Sequence, residues 1–394
     1  MNAKKLVVFL VAAAALLVLP LLLQTQGNAW VRIVDIALLY VLLALGLNIV
    51  VGYAGLLDLG YVAFFAIGAY LFALLGSTQL TDNFEALKAM FPNGFHTSLV
   101  LVIPAALVMA ALLGALLGAP TLKLRGDYLA IVTLGFGEII RVFLNTLDHP
   151  YNVTNGPKGI TGIDSIRIFG LNLGRPLKIG DYTISSVSLY YYLFLVLVIF
   201  TVIVSYRLQS SRVGRGWMAI REDEIAAKAM GINTRNMKLL AFGMGASFGG
   251  VSGAMFAAFQ GFVSPESFNL MESVMIVSMV VLGGIGHLPG VILGAVLLAA
   301  LPEVLRYVAG PLQSMTDGRL DASILRQLFI ALSMILIMLT RPRGLWPAPE
   351  HGKSLKGRKA PDPVPGSTQA IEPGVDTPAD EIAGGANRPM SINP

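Results

Sequence analysis

The sequence predicts an all-α polytopic membrane protein with about ten transmembrane or re-entrant helices. Of its 394 residues, 55% are hydrophobic and only 13% are charged, and the mean hydropathy is +0.71. A soluble globular domain carries roughly 25% charged residues, about twice this fraction. The 42 glycines suit the close packing and the interruptions that membrane helices tolerate. Most of the chain is therefore expected to lie in a lipid bilayer.

Apolar stretches close to the roughly 20 residues that a membrane-spanning helix needs recur along the chain. In order they are 6–23, 30–51, 56–76, 97–118, 128–147, 187–206, 239–260, 269–285, 289–305 and 323–340. The stretches near 52–76 and 283–301 are rich in glycine, so re-entrant or broken helices are an alternative to simple spans there. The first stretch follows Lys4 and Lys5, which also fits a cleaved signal peptide.

Basic residues cluster in four segments and predict the orientation. These are the N-terminus, the short loop 119–127, the loop 206–238 and the segment after residue 340. With ten spans all four lie on one side of the membrane, which the positive-inside rule assigns to the cytoplasm. Both termini are then cytoplasmic. The net charge of +5 reflects these loops and gives no reason to expect nucleic-acid binding.

The sequence predicts two regions of the chain, a transmembrane domain and a C-terminal tail. Residues 1–346 form the transmembrane domain, and residues 347–394 hold nine of the 21 prolines and few apolar runs. This Pro-rich tail is predicted to be disordered and cytoplasmic. The chain has no cysteine, and its four histidines lie in predicted loops or the tail without metal-ligand spacing.

The cytoplasmic loop of about 207–238 contains a short predicted helix over 221–232. Acidic residues precede its helix formers and a glycine follows them, which is the expected order at helix ends. Two adjacent alanines give the helix a smooth face that another protein could approach closely. A solvated connector between two spans is the alternative. The candidate coupling residues are Arg221, Glu222, Asp223, Glu224, Ala226, Ala227 and Gly231.

This segment resembles the E-A-A…G signature of ABC importer permeases, with Ile225 inserted between the glutamate and the alanines. In that family the loop is a coupling helix that docks into a groove of the ATPase subunit. Two further stretches resemble LivM-type branched-chain amino-acid permeases. They are 52–60, with G-Y-A-G-L-L-D-L-G, and 124–162, with R-G-D-Y, T-L-G-F-G-E and T-N-G-P-K-G. The resemblance extends over about residues 30–345 and leaves out the tail.

The resemblance implies a permease subunit that moves Leu, Ile or Val across the bacterial inner membrane by ATP-driven alternating access. Its partners would be a LivH-type sister permease, LivG- and LivF-type ATPase subunits and a periplasmic amino-acid-binding protein. ATP and Mg would bind to the partners, so this chain itself would be no enzyme and hold no cofactor. Urea, amides or other amino acids are alternative substrates. An ion-coupled secondary carrier is the alternative mechanism.

Glycine-rich interruptions in both halves of the chain predict a substrate path, because broken helices in transporters line binding sites. The freed backbone groups can face a polar cavity, where N–H groups could receive an amino-acid carboxylate. Tight helix packing is the alternative. The tentative pathway residues are Gly52, Tyr53, Gly55, Asp58, Gly60, Thr133, Glu138, Arg141, Gly283, Gly284 and Gly286.

Charged side chains and one run of glycines within the predicted spans lead to further predictions. Glu138 and Arg141 are three residues apart on one helix face, so they should pair inside the membrane. Asp58 and Glu272 lie near predicted span ends and are expected to be solvated. The run 245–253, with a glycine every fourth residue, should form a helix contact face.

Overall fold

A computed structural model describes residues 3–315 apart from 93, 122–123, 125, 169–170 and 180–181, together with scattered positions from 328 to 346. The tail 347–394 lies outside the described residues, as does most of the predicted span 323–340. The positions that are described between 328 and 340 are helical.

The described part of the chain is mostly helical, and its helix bounds follow the apolar stretches closely. In chain order the helices are α1 (Ala3–Gln26), α2 (Asn28–Asn48), α3 (Val62–Leu75), α4 (Gln79–Asn83), α5 (Glu85–Met90), α6 (Leu99–Thr121), α7 (Asp127–Thr146), α8 (Ser186–Ser210), α9 (Arg212–Glu222), α10 (Glu224–Ala229), α11 (Thr234–Gln260), α12 (Leu270–Gly283) and α13 (Leu288–Met315).

Among the described residues, five helical stretches are long and apolar enough to cross a membrane, and four more are apolar but shorter. The five are Asn28–Tyr53, Leu99–Pro120, Asp127–Thr146, Ser186–Ser210 and Thr234–Gln260. The four are Ala14–Gln26, Val62–Leu75, Leu270–Gly283 and Leu288–Glu303. Each predicted span before residue 310 thus coincides with an apolar helix. The total number of spans and the side of each terminus stay predictions.

The two glycine-rich stretches are interrupted, as expected. After α2 the chain forms a π-helical turn, Ile49–Tyr53, and then an irregular segment in which Gly55 has φ +69°. Helix α3 therefore begins only at Val62. The second interruption separates α12 from α13 and contains Gly284 and Gly286 with φ values of +123° and +82°, a backbone conformation that strongly favours glycine.

Helices α2 and α11 form the centre of the bundle. The most apolar windows of α2 and α11 are 78% and 67% buried, whereas those of α6 and α7 are each 28% buried. Helix α11 packs against α2, α3 and α6. The apolar outer faces of α6 and α7 are therefore available to lipid or to a second membrane subunit.

Small residues let these central helices approach each other closely. A Cβ on Gly253 would lie 2.7 Å from the amide nitrogen of Ala69 and closer still to the carbonyl oxygen of Phe65. A Cβ on Gly245 would lie 3.1 Å from the carbonyl oxygen of Gly46, and one on Gly249 would lie 3.1 Å from Phe64 Cβ. The predicted contact face on α11 is confirmed.

The loop between α7 and α8 contains short strands, so the prediction of a purely helical fold was wrong at this point. Within the described residues, β1 (Ile160–Thr161) pairs antiparallel with β6 (Phe262–Val263), which ties the loop to the end of α11. The other pairs are β2 (Arg167–Ile168) with β3 (Leu171–Asn172) and β4 (Leu177–Ile179) with β5 (Tyr182–Ile184). Strands of two or three residues are too short to show an alternating pattern in sequence.

Candidate functional site

The predicted short helix at 221–232 is present as α10, but it is preceded by a second helix, α9, that was predicted as loop. Asp223 separates the two and begins α10. Its Oδ1 accepts hydrogen bonds from the backbone N–H groups of Ile225 at 2.8 Å and Ala226 at 3.1 Å, which is the usual N-cap geometry. Arg221 and Glu222 therefore belong to the last turn of α9 and not to the coupling helix itself.

Gly231 ends α10 as predicted. It has φ +84°, and its N–H bonds to the carbonyl of Lys228 at 3.1 Å. The following N–H, of Ile232, bonds to the carbonyl of Ala227, also at 3.1 Å. These two bonds form a Schellman motif. Because both ends are capped, a helix of only six residues keeps a defined position outside the bundle.

The outward face of α10 differs from the predicted pair of alanines. Ala226 is exposed, but Ala227 is buried against this chain and only 4% accessible. The two alanines therefore do not share one accessible face. Large apolar side chains lie outward instead, since Ile225 is 69% exposed and Met230 is 83% exposed. The face available to a partner is therefore Ile225, Ala226 and Met230.

Two contacts hold α9 and α10 against the start of α11. Lys238 Nζ lies 2.7 Å from Glu224 Oε1, and the lysine side chain is only 5% exposed. The indole Nε1 of Trp217, which is completely buried, donates to the carbonyl of Met237 at 2.7 Å. The sequence does not reveal the ion pair, because its members lie 14 residues apart on two different helices. Together these contacts make the loop 207–238 a packed unit.

Replacing Lys238 with methionine is expected to destabilise this unit by about 1–3 kcal/mol, because the ion pair between the buried lysine and Glu224 is lost. The measurement is the thermal unfolding midpoint of the purified chain in detergent. Lys228→Met, at an exposed position of α10, is the matched control and should change stability by less than about 0.5 kcal/mol. Equal midpoints for the two variants would show that the ion pair contributes nothing.

Arg221 connects α9 with both glycine-rich interruptions. Its guanidinium donates to the carbonyl oxygen of Gly52. A Cβ on Gly55 would lie 2.8 Å from Arg221 Cγ, and a Cβ on Gly286 would lie 2.9 Å from Arg221 Nη1. Side chains at either glycine would displace the arginine, so glycine is needed there for close approach.

Asn48 completes this contact between the two halves of the chain. Its Oδ1 accepts the backbone N–H of Gly286 at 2.9 Å, although the residues are 238 positions apart. A Cβ on Gly52 would lie 2.9 Å from the same N–H nitrogen and closer still to Asn48 Oδ1. We call Asn48, Gly52, Arg221 and Gly286 the glycine junction. The structure thus brings together Gly52, Gly286 and Arg221, and it adds Asn48, which sequence reasoning missed.

The other glycines of the second interruption contact different partners. A Cβ on Gly283 would lie 2.7 Å from the carbonyl carbon of Gly290, and the carbonyl of Gly283 accepts the N–H of Trp346 at 3.1 Å. The backbone of Gly284 lies against Gly344. These contacts agree with the alternative reading, tight packing, for Gly283 and Gly284.

Asp58 is buried, so the expectation that it is solvated was wrong. Only 1% of the residue is accessible, and its Oδ1 accepts the N–H of Gly60 at 2.9 Å. Thr133 Oγ1 accepts the N–H of Leu59 at 3.0 Å, which attaches the turn to α7. A cavity of about 20 Å³ lined by Asp58, Gly60, Thr133 and Phe136 adjoins the carboxylate, enough for one water molecule.

The remaining pathway candidates lie apart from this turn. Tyr53 is fully buried in a hydrophobic cluster with Trp217. Arg141 Nε lies 2.9 Å from Glu138 Oε2, so the predicted ion pair is confirmed, and Glu266 joins it at 3.4 Å.

Glu272 is not simply solvated, contrary to expectation. Its carboxylate is partly buried and accepts a hydrogen bond from the hydroxyl of Tyr40. Within the part of the chain that the structure describes, no group of three or more His, Asp or Glu side chains is arranged to hold a metal ion.

Residues 30–338 match the family model described as the permease component of the branched-chain amino acid transport system. The high-affinity branched-chain amino acid permease LivM of Escherichia coli strain K12 is 41% identical over 366 residues, covering 89% of this chain and 77% of LivM. A probable LivM permease of Methanocaldococcus jannaschii is 25% identical over 329 residues, covering 78% of this chain and 90% of that protein.

A second type of relative is also similar. The LivH permease of Escherichia coli strain K12 is 24% identical over 318 residues, covering 80% of this chain and 93% of LivH. No solved structure matches the chain at a significant level. The family match spans most of the helical bundle, from the start of α2 through the glycine junction. The chain belongs to the permease family of branched-chain amino acid ABC transport systems and is a multi-pass membrane permease component.

Proposed function

We propose that this chain forms part of the translocation path of a bacterial inner-membrane ABC importer for leucine, isoleucine and valine. The observation that carries the proposal is the outward face of α10. Ile225 and Met230 are large apolar side chains that are mostly exposed on a helix held at both ends. A rigid apolar patch outside the bundle is typical of a docking surface. Its partner is an ATPase subunit with a complementary groove.

The assembly follows from the orientation and the relatives. With both termini cytoplasmic, α9 and α10 lie on the cytoplasmic side, where LivG- and LivF-type subunits bind ATP and Mg. Similarity to LivH as well as LivM proteins supports a LivH-type sister permease of similar fold, related to this chain by a pseudo-two-fold axis. A periplasmic amino-acid-binding protein delivers the substrate from the other side.

The glycine junction passes movement of α10 to the membrane helices. Helix α9 follows the docked helix, and Arg221 bonds directly to Gly52 at the end of α2. Asn48 then links this turn to Gly286 between α12 and α13. Turns at the ends of helices are where hinge movements are absorbed. A displaced α9 therefore moves both interruptions together, which opens or closes the path beside Gly52, Asp58 and Thr133.

Deletion of the gene is expected to abolish high-affinity uptake of radiolabelled leucine by cells, and the wild-type gene should restore it. Ala226→Glu is expected not to restore uptake, because a buried charge in the docking face costs at least about 2 kcal/mol of binding. The variant chain should still be inserted in the membrane but should not co-purify with the ATPase subunits.

Ala86→Glu provides the matched control, since Ala86 is exposed on the short helix α5 and should tolerate the charge. Ala227→Glu should instead reduce the amount of folded chain, because that position is buried. Full uptake by the Ala226→Glu variant would refute α10 as the docking helix. Wild-type cells that import urea or an amide through this system, and no leucine, would refute the substrate while leaving the permease assignment intact.

A further inference from the structure

A long groove on the membrane-facing side of the bundle lies between α6, α8 and α11. Its volume is about 700 Å³. Helix α6 packs closely against α11, whereas α8 packs mainly against α2, so the space between α8 and the other two helices is left unfilled. A Cβ on Gly243 would lie 3.3 Å from the carbonyl oxygen of Ala111, and these small residues form part of the floor. We call this space the lateral groove.

The wall of the lateral groove is apolar except at one end. Among the described side chains that line it, only Asn236 and Ser247 are polar. The Ser247 hydroxyl donates to the carbonyl of Met244 at 2.7 Å, so it is satisfied within its own helix. Asn236 lies in the first turn of α11, next to the basic loop, and is exposed. The groove therefore has an apolar body and a polar end on the side of the basic loop 206–238.

The length of the lateral groove matches one leaflet of a bilayer. Its lining residues on α11 run from Asn236 to Phe248, which is about 18 Å at roughly 1.5 Å per residue. One leaflet of a hydrocarbon core about 30 Å thick measures about 15 Å. The described residues 249–260 of α11 line none of the groove. A lipid acyl chain fits such a groove, whereas a transmembrane helix of a partner needs a groove through both leaflets.

A basic residue lies at the polar end of the groove. Arg207 follows Phe200 by seven residues and Val204 by three on α8, so it lies on the same helix face as these two lining side chains. Arg207 is exposed and makes no ion pair within the part of the chain that the structure describes. No Asp or Glu occurs from residue 202 to residue 221, so the local charge is positive. A guanidinium binds phosphate through two parallel N–H bonds.

We propose that the lateral groove binds an anionic phospholipid. One acyl chain lies along the apolar wall, and the phosphate accepts hydrogen bonds from the Arg207 guanidinium and the Asn236 side-chain amide. A headgroup with net negative charge suits this end, because a zwitterionic headgroup would bring its own ammonium group next to the arginine. The bound lipid fills the gap between α8 and α11. The proposal goes beyond the proposed function, since it requires neither the substrate nor the ATPase.

Native mass spectrometry of the full-length chain, purified in detergent with the subunits that co-purify, measures the lipid that stays bound. Phosphatidylglycerol and phosphatidylethanolamine with identical acyl chains are the two probes. The wild type should bind phosphatidylglycerol about fivefold more tightly, which is the effect of one basic side chain near an anionic membrane surface. Arg207→Gln should remove this preference. Lys228→Gln is the matched control, because it removes a positive charge from an exposed position of the same loop, and it should keep the preference.

Ala115→Trp tests the acyl-chain part of the site, because Ala115 lines the groove and an indole would fill part of it. Both lipids should then bind about fivefold more weakly or worse. Leu116→Trp is its control, since Leu116 is exposed on α6 and does not line the groove, and it should bind both lipids like the wild type. If the Ala115→Trp chain fails to fold, Arg207→Gln alone decides.

Equal binding of the two lipids by the wild type would overturn the proposal, as would an undiminished preference in Arg207→Gln. An equal loss in Lys228→Gln would also overturn it, because the preference would then come from general surface charge. Glycerol phosphate, which has no acyl chain, should not compete, and its competition at the same concentration would indicate a site for free phosphate instead. Loss of the lipid only from complexes that contain a sister permease would show that the groove is a subunit interface. None of these measurements depends on transport, so their outcome is independent of the proposed function.

Discussion

Replacing Arg221 with alanine is expected to lower ATP-driven leucine uptake about ten- to hundredfold while the chain stays inserted in the membrane. The guanidinium donates to the carbonyl of Gly52 and lies against Gly286, so it connects α9 to both interruptions. A hydrogen bond from a charged donor contributes about 1.5–3 kcal/mol, and each 1.4 kcal/mol is a factor of ten. Uptake in cells and ATP hydrolysis by the reconstituted importer measure the effect.

Hydrolysis should continue in the Arg221→Ala importer after transport is lost, because α10 and its docking face are unaltered. Arg212→Ala is the matched control, since Arg212 is exposed at the start of the same helix, and it should transport normally. Arg221→Lys should recover part of the uptake, because an ammonium can also donate to the Gly52 carbonyl but lacks the guanidinium fork. Wild-type transport by Arg221→Ala would exclude the glycine junction as the coupling route.

Gly253→Ala is expected to prevent folding of the bundle or to destabilise it by about 1–3 kcal/mol or more, since overpacking against a rigid neighbour is costly. The new methyl group would meet the backbone of Phe65 and Ala69 on α3. Backbone atoms within a helix cannot move aside as a side chain does. Helices α3 and α11 would have to separate. The elution profile and thermal unfolding midpoint of the detergent-purified chain report this.

Gly135→Ala is the corresponding control on a membrane helix. A Cβ there meets nothing within 4 Å, and alanine favours a helix over glycine by roughly 1 kcal/mol. This variant should therefore be as stable as the wild type or slightly more so. A Gly253→Ala chain with an unchanged midpoint would mean that α3 and α11 do not approach as closely as described.

The Arg221→Ala and Gly253→Ala variants test two different consequences of small residues. At Gly253 the absence of a side chain allows two helices to touch, which is a matter of stability. At Gly52 and Gly286 it makes room for the side chains of Asn48 and Arg221 between two chain interruptions. The sequence shows the same residue type in both places, and only the neighbours distinguish the two roles.

The C-terminal end of α10 could be predicted because capping is local. Gly231 directly follows the last turn, as predicted. The predicted start at Arg221 was wrong, because Asp223 separates α9 from α10 and accepts hydrogen bonds from the N–H groups of Ile225 and Ala226. The outward face could not be predicted in the same way. Whether Ala226 or Ala227 is exposed depends on how α10 lies against α11, and that position is held by the distant Lys238.

Asp58 shows that the position of a residue in a predicted span does not by itself establish how deeply its side chain is buried. A carboxylate near a predicted span end was expected to reach water, yet the turn around it is covered by α7 through Thr133. Glu272 was misjudged for a similar reason, since Tyr40 on α2 reaches across to it. In both cases the covering group comes from another helix.

By itself the sequence determined the membrane class, the positions of the apolar helices, the interruptions at both glycine-rich stretches and the C-terminal end of α10. These features depend on composition and on neighbours within a few residues along the chain. The tertiary structure decided which interruptions meet, that Arg221 and Asn48 join them, and that Tyr40 of α2 bonds to Glu272 of α12. Those contacts join residues up to 238 positions apart (Asn48 and Gly286), and which distant residues meet cannot be read from neighbours within a few positions of the chain.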